Sequence, residues 1–133
     1  MRSLLLALLG CVLLVGCAPD KFTPLADIPK LTSLNDVMDN QKAAADPQFA
    51  KIGHDTFSDA DFAAFGQSAE RLQVTSLKVK DFSKGRAEFE ALATRLGEKA
   101  KALGTAAAAK DTAGAKAALT EMQATCKECH HKF

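Results

Sequence analysis

From residue 31 onward, apolar side chains recur at helical spacing, and no stretch alternates long enough to make a strand. Leu31, Leu34, Met38, the adaptable Gln41, and Ala45 fall at intervals of 3-4-3-4, the stripe of a bundle helix. That helix is expected to open at Thr32 or Ser33, with Asp36 as a weak capping partner. Asp46-Pro47 then interrupts it. Asp46 can cap and Pro47 suits the first position of a new turn, so a kink or a split is predicted, with Phe49 and Ile52 continuing the face. Ser58, followed by Asp59 and Asp61, is a good start for a second helix with Phe62, Phe65, Ala69 and Leu72 inside. Its pattern weakens over 73–80. The third helix is the clearest: Phe82, Phe89, Leu92, Ala93, Leu96, Ala100 and Leu103 hold one stripe, with Gly85 near its start. Lys110-Asp111-Thr112 makes a turn. A fourth helix runs from about Thr112 onward, with Ala115, Ala118, Leu119 and Met122 on one face. Four such helices joined by short turns predict an all-α, antiparallel up-down four-helix bundle spanning 31–133.

The first thirty residues read differently. Met1-Arg2-Ser3 is a short positive start, and Leu4 to Val15 is an apolar run of 12 residues, too short for an ordinary membrane span but suited to a signal peptide. It ends in Leu14-Val15-Gly16-Cys17, which resembles the bacterial lipoprotein signal box. Residues 1–16 are therefore expected to be removed and Cys17 to be lipidated. An ordinary secretory peptide cleaved near Ala18 is the alternative. Residues 17–30 carry Pro19, Pro24 and Pro29 and predict an extended tether between lipid and helix. Loss of Arg2 leaves 16 basic and 16 acidic residues. A chain with no net charge offers nothing to nucleic acid.

The chemistry is concentrated in Cys126-Lys127-Glu128-Cys129-His130. Two thiols at i and i+3 can add across the two vinyl groups of one haem, and the histidine after the second thiol can reach its iron. On a helix the three side chains lie at about 0°, 300° and 40° around the axis, on one face. A zinc half-site would need a second ligand pair, which is missing because His131 is adjacent and His54 stands alone. A thioredoxin-like pair would need a surrounding βαβ pattern. One covalent haem c is the expected cofactor, and it would extend a modest core. With Cys11 in the leader and Cys17 lipidated, no disulfide is expected. Among the other residues there is no nucleophile–base set, no phosphate loop and no further metal motif, so nothing points to an enzyme.

Four helices with Thr125-Cys126-Lys127-Glu128-Cys129-His130 in the last, followed by Phe133, resemble the cytochrome c′ family, the class II cytochromes c. The resemblance covers roughly Leu31 to Phe133. It implies that His130 is the proximal iron ligand and that Phe133 packs near the haem edge. It also implies two branches: one with an empty sixth position shielded by an apolar side chain, where small gases bind, and one in which a first-helix methionine fills it. Val37-Met38-Asp39-Asn40 resembles the second, low-spin branch. The chain departs from the family in Pro47 and in lacking a basic residue just before the distal position, Lys30 being the nearest upstream.

Met38 as distal ligand competes with Met38 as packing. Met122 shares a helix with His130 and cannot reach the far side of the ring. His54 would give a bis-histidine haem but falls near a helix end. His131 points about 100° from His130, toward solvent. The phenylalanines are core, some of them walling the haem. Lys127, Glu128 and Lys132 form a solvated rim or a salt-sensitive docking patch. The expected function is a periplasmic one-electron carrier held to the membrane by its lipid and serving redox partner proteins of the cell envelope. The alternative is a five-coordinate cytochrome c′-like protein binding NO or CO. The family resemblance also allows a homodimer.

Overall fold

The computed structural model describes residues 22–133. The leader, Cys17 and the first part of the tether lie outside the described residues. The chain folds into four main α-helices: α1 (Leu34–Phe49), α2 (Asp59–Val79), α3 (Ala87–Ala108) and α4 (Thr112–Lys132), with no strand among the described residues.

Three helix starts follow their local chemistry. Ser33 Oγ accepts the Asp36 backbone N–H at 3.4 Å to open α1. At α2 the Asp61 N–H donates to Ser58 Oγ (3.2 Å) and the Ser58 N–H donates to Asp61 Oδ2 (2.9 Å), a reciprocal box that satisfies two end donors. Asp111 Oδ1 takes the Gly114 N–H at 3.0 Å and so begins α4.

The structure differs from the sequence pattern at three places. Pro47 neither splits α1 nor starts a new turn. It lies in the last turn of the continuous helix, where only Gln48 and Phe49 follow, and the Ala50 N–H still reaches the Asp46 carbonyl at 3.2 Å. One missing N–H at a helix end costs little alignment downstream. α3 starts at Ala87, not near Phe82. Phe82 closes a short 3₁₀ turn after α2, and the chain then passes through the left-handed region at Lys84 (φ 53°) and Gly85 (φ 77°), where a helix cannot continue. Lastly, residues 25–30 are not an extended tether. Leu25–Lys30 is a 3₁₀ helix that packs on α2 and buries Ile28 completely. Just upstream, Arg71 Nη1 donates to the Thr23 carbonyl (2.6 Å) and to Asn40 Oδ1 (3.0 Å), and the Thr23 N–H reaches the same Asn40 oxygen at 3.1 Å. The folded unit thus begins before residue 31.

α2 packs along α3, α3 along α4, and α1 along α2, whereas α1 and α4 touch only lightly. The main core joins Phe65, Leu72, Leu103, Leu119 and Met122 under all four helices. A smaller cluster of Val37, Val79, Phe89 and Ala93 lies nearer the start of α1, with Met38 and Cys129 packed against it. Arg95–Glu128, Lys99–Glu121 (2.6 Å) and Lys132–Glu88 tie α3 to α4 along their outer edge. Exposed pairs of this kind contribute about 0–1 kcal/mol each, so apolar packing holds the helices together.

Candidate functional site

Where α1 stands off from α4, a cleft of about 480 Å³ opens, within the range of small-molecule sites. α1 contributes Met38, Gln41, Ala45 and Phe49 to its lining. Leu72 and Val79 of α2 join Phe89, Leu92 and Leu96 of α3 to form an apolar wall. α4 supplies Cys126, Cys129 and His130. The helical spacing of the motif thus puts both thiols and the imidazole on the cleft side, and the stripe of α1 brings Met38 to the same space from another helix.

Cys126 packs against the main core and Cys129 against the smaller cluster, so the two thiols straddle the junction between them. Burial pushes the Cys126 thiol up to about 11, with Cys129 and Asp46 adding to the effect. Burial also raises Cys129, partly opposed by Arg86. Among the described residues no group of three or more His, Cys, Asp or Glu is placed to hold a metal ion by itself.

The other sequence candidates lie elsewhere. His54 is exposed in the turn after α1, and His131 is exposed near the end of α4. Met122 is fully buried in the main core. Phe57, Phe62 and Phe65 pack edge to face with centroids 4.8–6.1 Å apart, also in that core. Phe89 walls the cleft together with Phe49, and the Phe89 ring meets Phe133 edge-on at 5.4 Å. The Arg86 guanidinium lies over both rings, at 4.9 and 5.0 Å.

Two rim residues are less free than their sequence suggested. The Arg95 guanidinium, helped by Lys132, holds the Glu128 carboxyl below its ordinary value, and Glu88 with Glu128 raises Lys132. These groups tie α4 to α3. Lys127 is exposed and donates to Gln123 Oε1 at 3.2 Å.

Sequence reasoning missed Gln41. It is only 8% exposed, and its side-chain Nε2 has no hydrogen-bond partner among the described residues. The signal was present as the one polar member of an otherwise apolar stripe.

The donor set fits a haem. Two thiols and an imidazole share one flank, a thioether lies on another helix, the α2 and α3 walls are apolar, and one buried N–H awaits an acceptor. A soft sulfur and an imidazole are suitable axial ligands for haem iron.

Comparison with known proteins agrees. The profile of the family described as Cytochrome C′ matches residues 29–133. A curated cytochrome c′ from Pararhodospirillum photometricum is 41% identical over 71 residues, covering 53% of this chain and 56% of that protein. The chain thus spans about half the length of this curated relative. No solved structure matches.

Proposed function

The chain belongs to the cytochrome c′ family and carries covalent haem c, and from that premise we propose that it is a one-electron carrier of the low-spin, methionine–histidine kind. Haem c supplies a one-electron iron couple. In this reading Cys126 and Cys129 would hold the haem through thioethers, and His130 and Met38 would ligate its iron. The observation that carries it is the cleft itself, which Met38 on α1 shares with the Cys-x-x-Cys-His run of α4. A thioether held on α1 would keep the iron's surroundings similar in both oxidation states, which suits a one-electron carrier. The apolar wall from Leu72 to Leu96 excludes water and, with the thioether, favours a raised potential.

Family members are typically periplasmic, and among the described residues no helix is long and apolar enough to cross a membrane. We place the protein on the periplasmic side of a bacterial membrane, anchored by lipid at Cys17. Its partners would be redox proteins of the envelope. The spectrum of the purified protein tests the ligand assignment. A six-coordinate, low-spin ferric form with a methionine-to-iron charge-transfer band is expected, and Met38→Ala should turn the ferrous form high-spin, lower the potential and admit CO rapidly. A wild type that already binds CO rapidly and lacks the band would overturn the carrier reading in favour of NO or CO binding.

A further inference from the structure

We propose that Gln41 binds a haem propionate: its Nε2–H donates to the carboxylate and positions that edge of the ring within the cleft. The inference rests on the haem site proposed above.

The starting point is an unmet physical requirement. Gln41 lines the cleft, is about nine-tenths buried, and leaves its Nε2–H without a partner among the described residues. A buried amide N–H with no acceptor is costly, and native structures rarely tolerate it. A dry apolar cavity would select leucine at this position of the stripe. The acceptor must therefore arrive with whatever fills the cleft. A haem has few groups that can accept. Its four ring nitrogens are bound to iron, and its vinyl groups are apolar and consumed in the thioethers. Only the two propionate carboxylates remain, and a charged carboxylate is a strong acceptor for an amide N–H. The Met38 sulfur, one helical turn away on the same face, is a weak acceptor and is engaged if it ligates.

The neighbouring charges leave this task to Gln41. Asp39, Lys42 and Asp46 of α1 and Lys127 and His130 of α4 also line the cleft. Asp39 and Asp46 would repel a carboxylate. Lys42 and Lys127 are exposed at the mouth, where water screens them. Gln41 is the buried polar donor in the α1 wall. A neutral donor there can hold one propionate ionised without placing a net charge in the apolar interior.

The test uses the haem-loaded protein and two substitutions. Gln41→Leu keeps the size and removes the donor. Gln41→Glu keeps the shape and adds a like charge. The reduction potential of each is followed against pH, and the side-chain amide of Gln41 is assigned by NMR in the reduced wild type. The expected results are a slowly exchanging Gln41 amide with contacts to propionate methylene protons, and an ionisation in the potential–pH curve that moves up by about one pH unit in Gln41→Leu and further in Gln41→Glu. The methionine charge-transfer band should persist in both. Curves that superimpose on wild type in both variants, with haem and band intact, overturn the proposal and leave the haem site standing. Loss of the band in Gln41→Leu together with an unmoved ionisation in Gln41→Glu also overturns it, because Gln41 would then only seat Met38. A wild type whose intact mass lacks haem would overturn the haem site itself, and the propionate contact with it.

Discussion

Replacing Phe89 by alanine probes the link between the smaller core cluster and the cofactor cleft. Phe89 is 4% exposed and is the largest member of a cluster whose other buried residues are Val37, Val79 and Ala93. Truncating a buried phenylalanine costs about 3–5 kcal/mol. Part of this is the edge-on contact with Phe133, about 0.5–1.5 kcal/mol, and part is the stacked Arg86. A loss of about 3 kcal/mol or more is expected, a large share of a typical 5–15 kcal/mol. Phe133 is 49% exposed, so Phe133→Ala should cost only about 1 kcal/mol. The assay is urea denaturation of the haem-loaded proteins, followed by circular dichroism, with all slopes compared. The double mutant should be less destabilised than the sum of the singles by about 0.5–1.5 kcal/mol. Because Met38 and Cys129 pack on this cluster, Phe89→Ala should also weaken a methionine charge-transfer band if Met38 ligates as proposed. A loss below about 1 kcal/mol, or strict additivity with Phe133→Ala, would refute the reasoning.

Cys126→Ala with Cys129→Ala should abolish haem retention through acid–acetone extraction, read by intact mass, and should leave a protein of reduced helicity. Ser58→Ala removes one side of the α2 box and should cost about 1 kcal/mol in chemical denaturation. Asp61 is held well below its ordinary carboxylate value by hydrogen bonds from Lys51 first and then Ser58. A lowered folded-state value adds stability that is complete above the unfolded value of about 3.9 and declines as the pH falls below it. Asp61→Asn should therefore be less stable than wild type at neutral pH, and the gap should close in acid. Gly85→Ala should destabilise by about 1 kcal/mol, since φ of 77° strains any side chain although the space around it is open. Cys17→Ser should release the protein from the membrane fraction or block its processing, and a wild type already free in the periplasm with a later N-terminus would count against lipidation.

The helices were legible because their signals are local. Ser33 and Ser58 act within three residues, and the stripes of α2, α3 and α4 predict their buried faces. The attachment motif was legible for the same reason, as its five residues span little more than one turn. Pro47 was over-read, because a proline rule takes no account of how near the helix end lies. Ile28 and the Arg71–Thr23–Asn40 clasp were not readable, since they depend on partners up to 48 positions away. Gln41 was readable only as an adaptable member of a stripe. Its meaning required knowing that the stripe faces a cleft instead of packed side chains.

The light contact between α1 and α4 bears on how the protein is loaded. Three helices, α2 to α4, pack on one another more extensively than α1 packs on α4, and α1 leans on α2, where the Arg71 clasp holds Asn40 at its middle. Such an arrangement would let α1 lift from α4 while the other three helices stay packed. Lifting α1 would expose both thiols without undoing the α3–α4 ion pairs. A planar cofactor can then enter sideways, be joined at Cys126 and Cys129, and be covered afterwards. Amide exchange should record that order: α1 protons should be lost together and early in the unloaded protein, and those of α3 late.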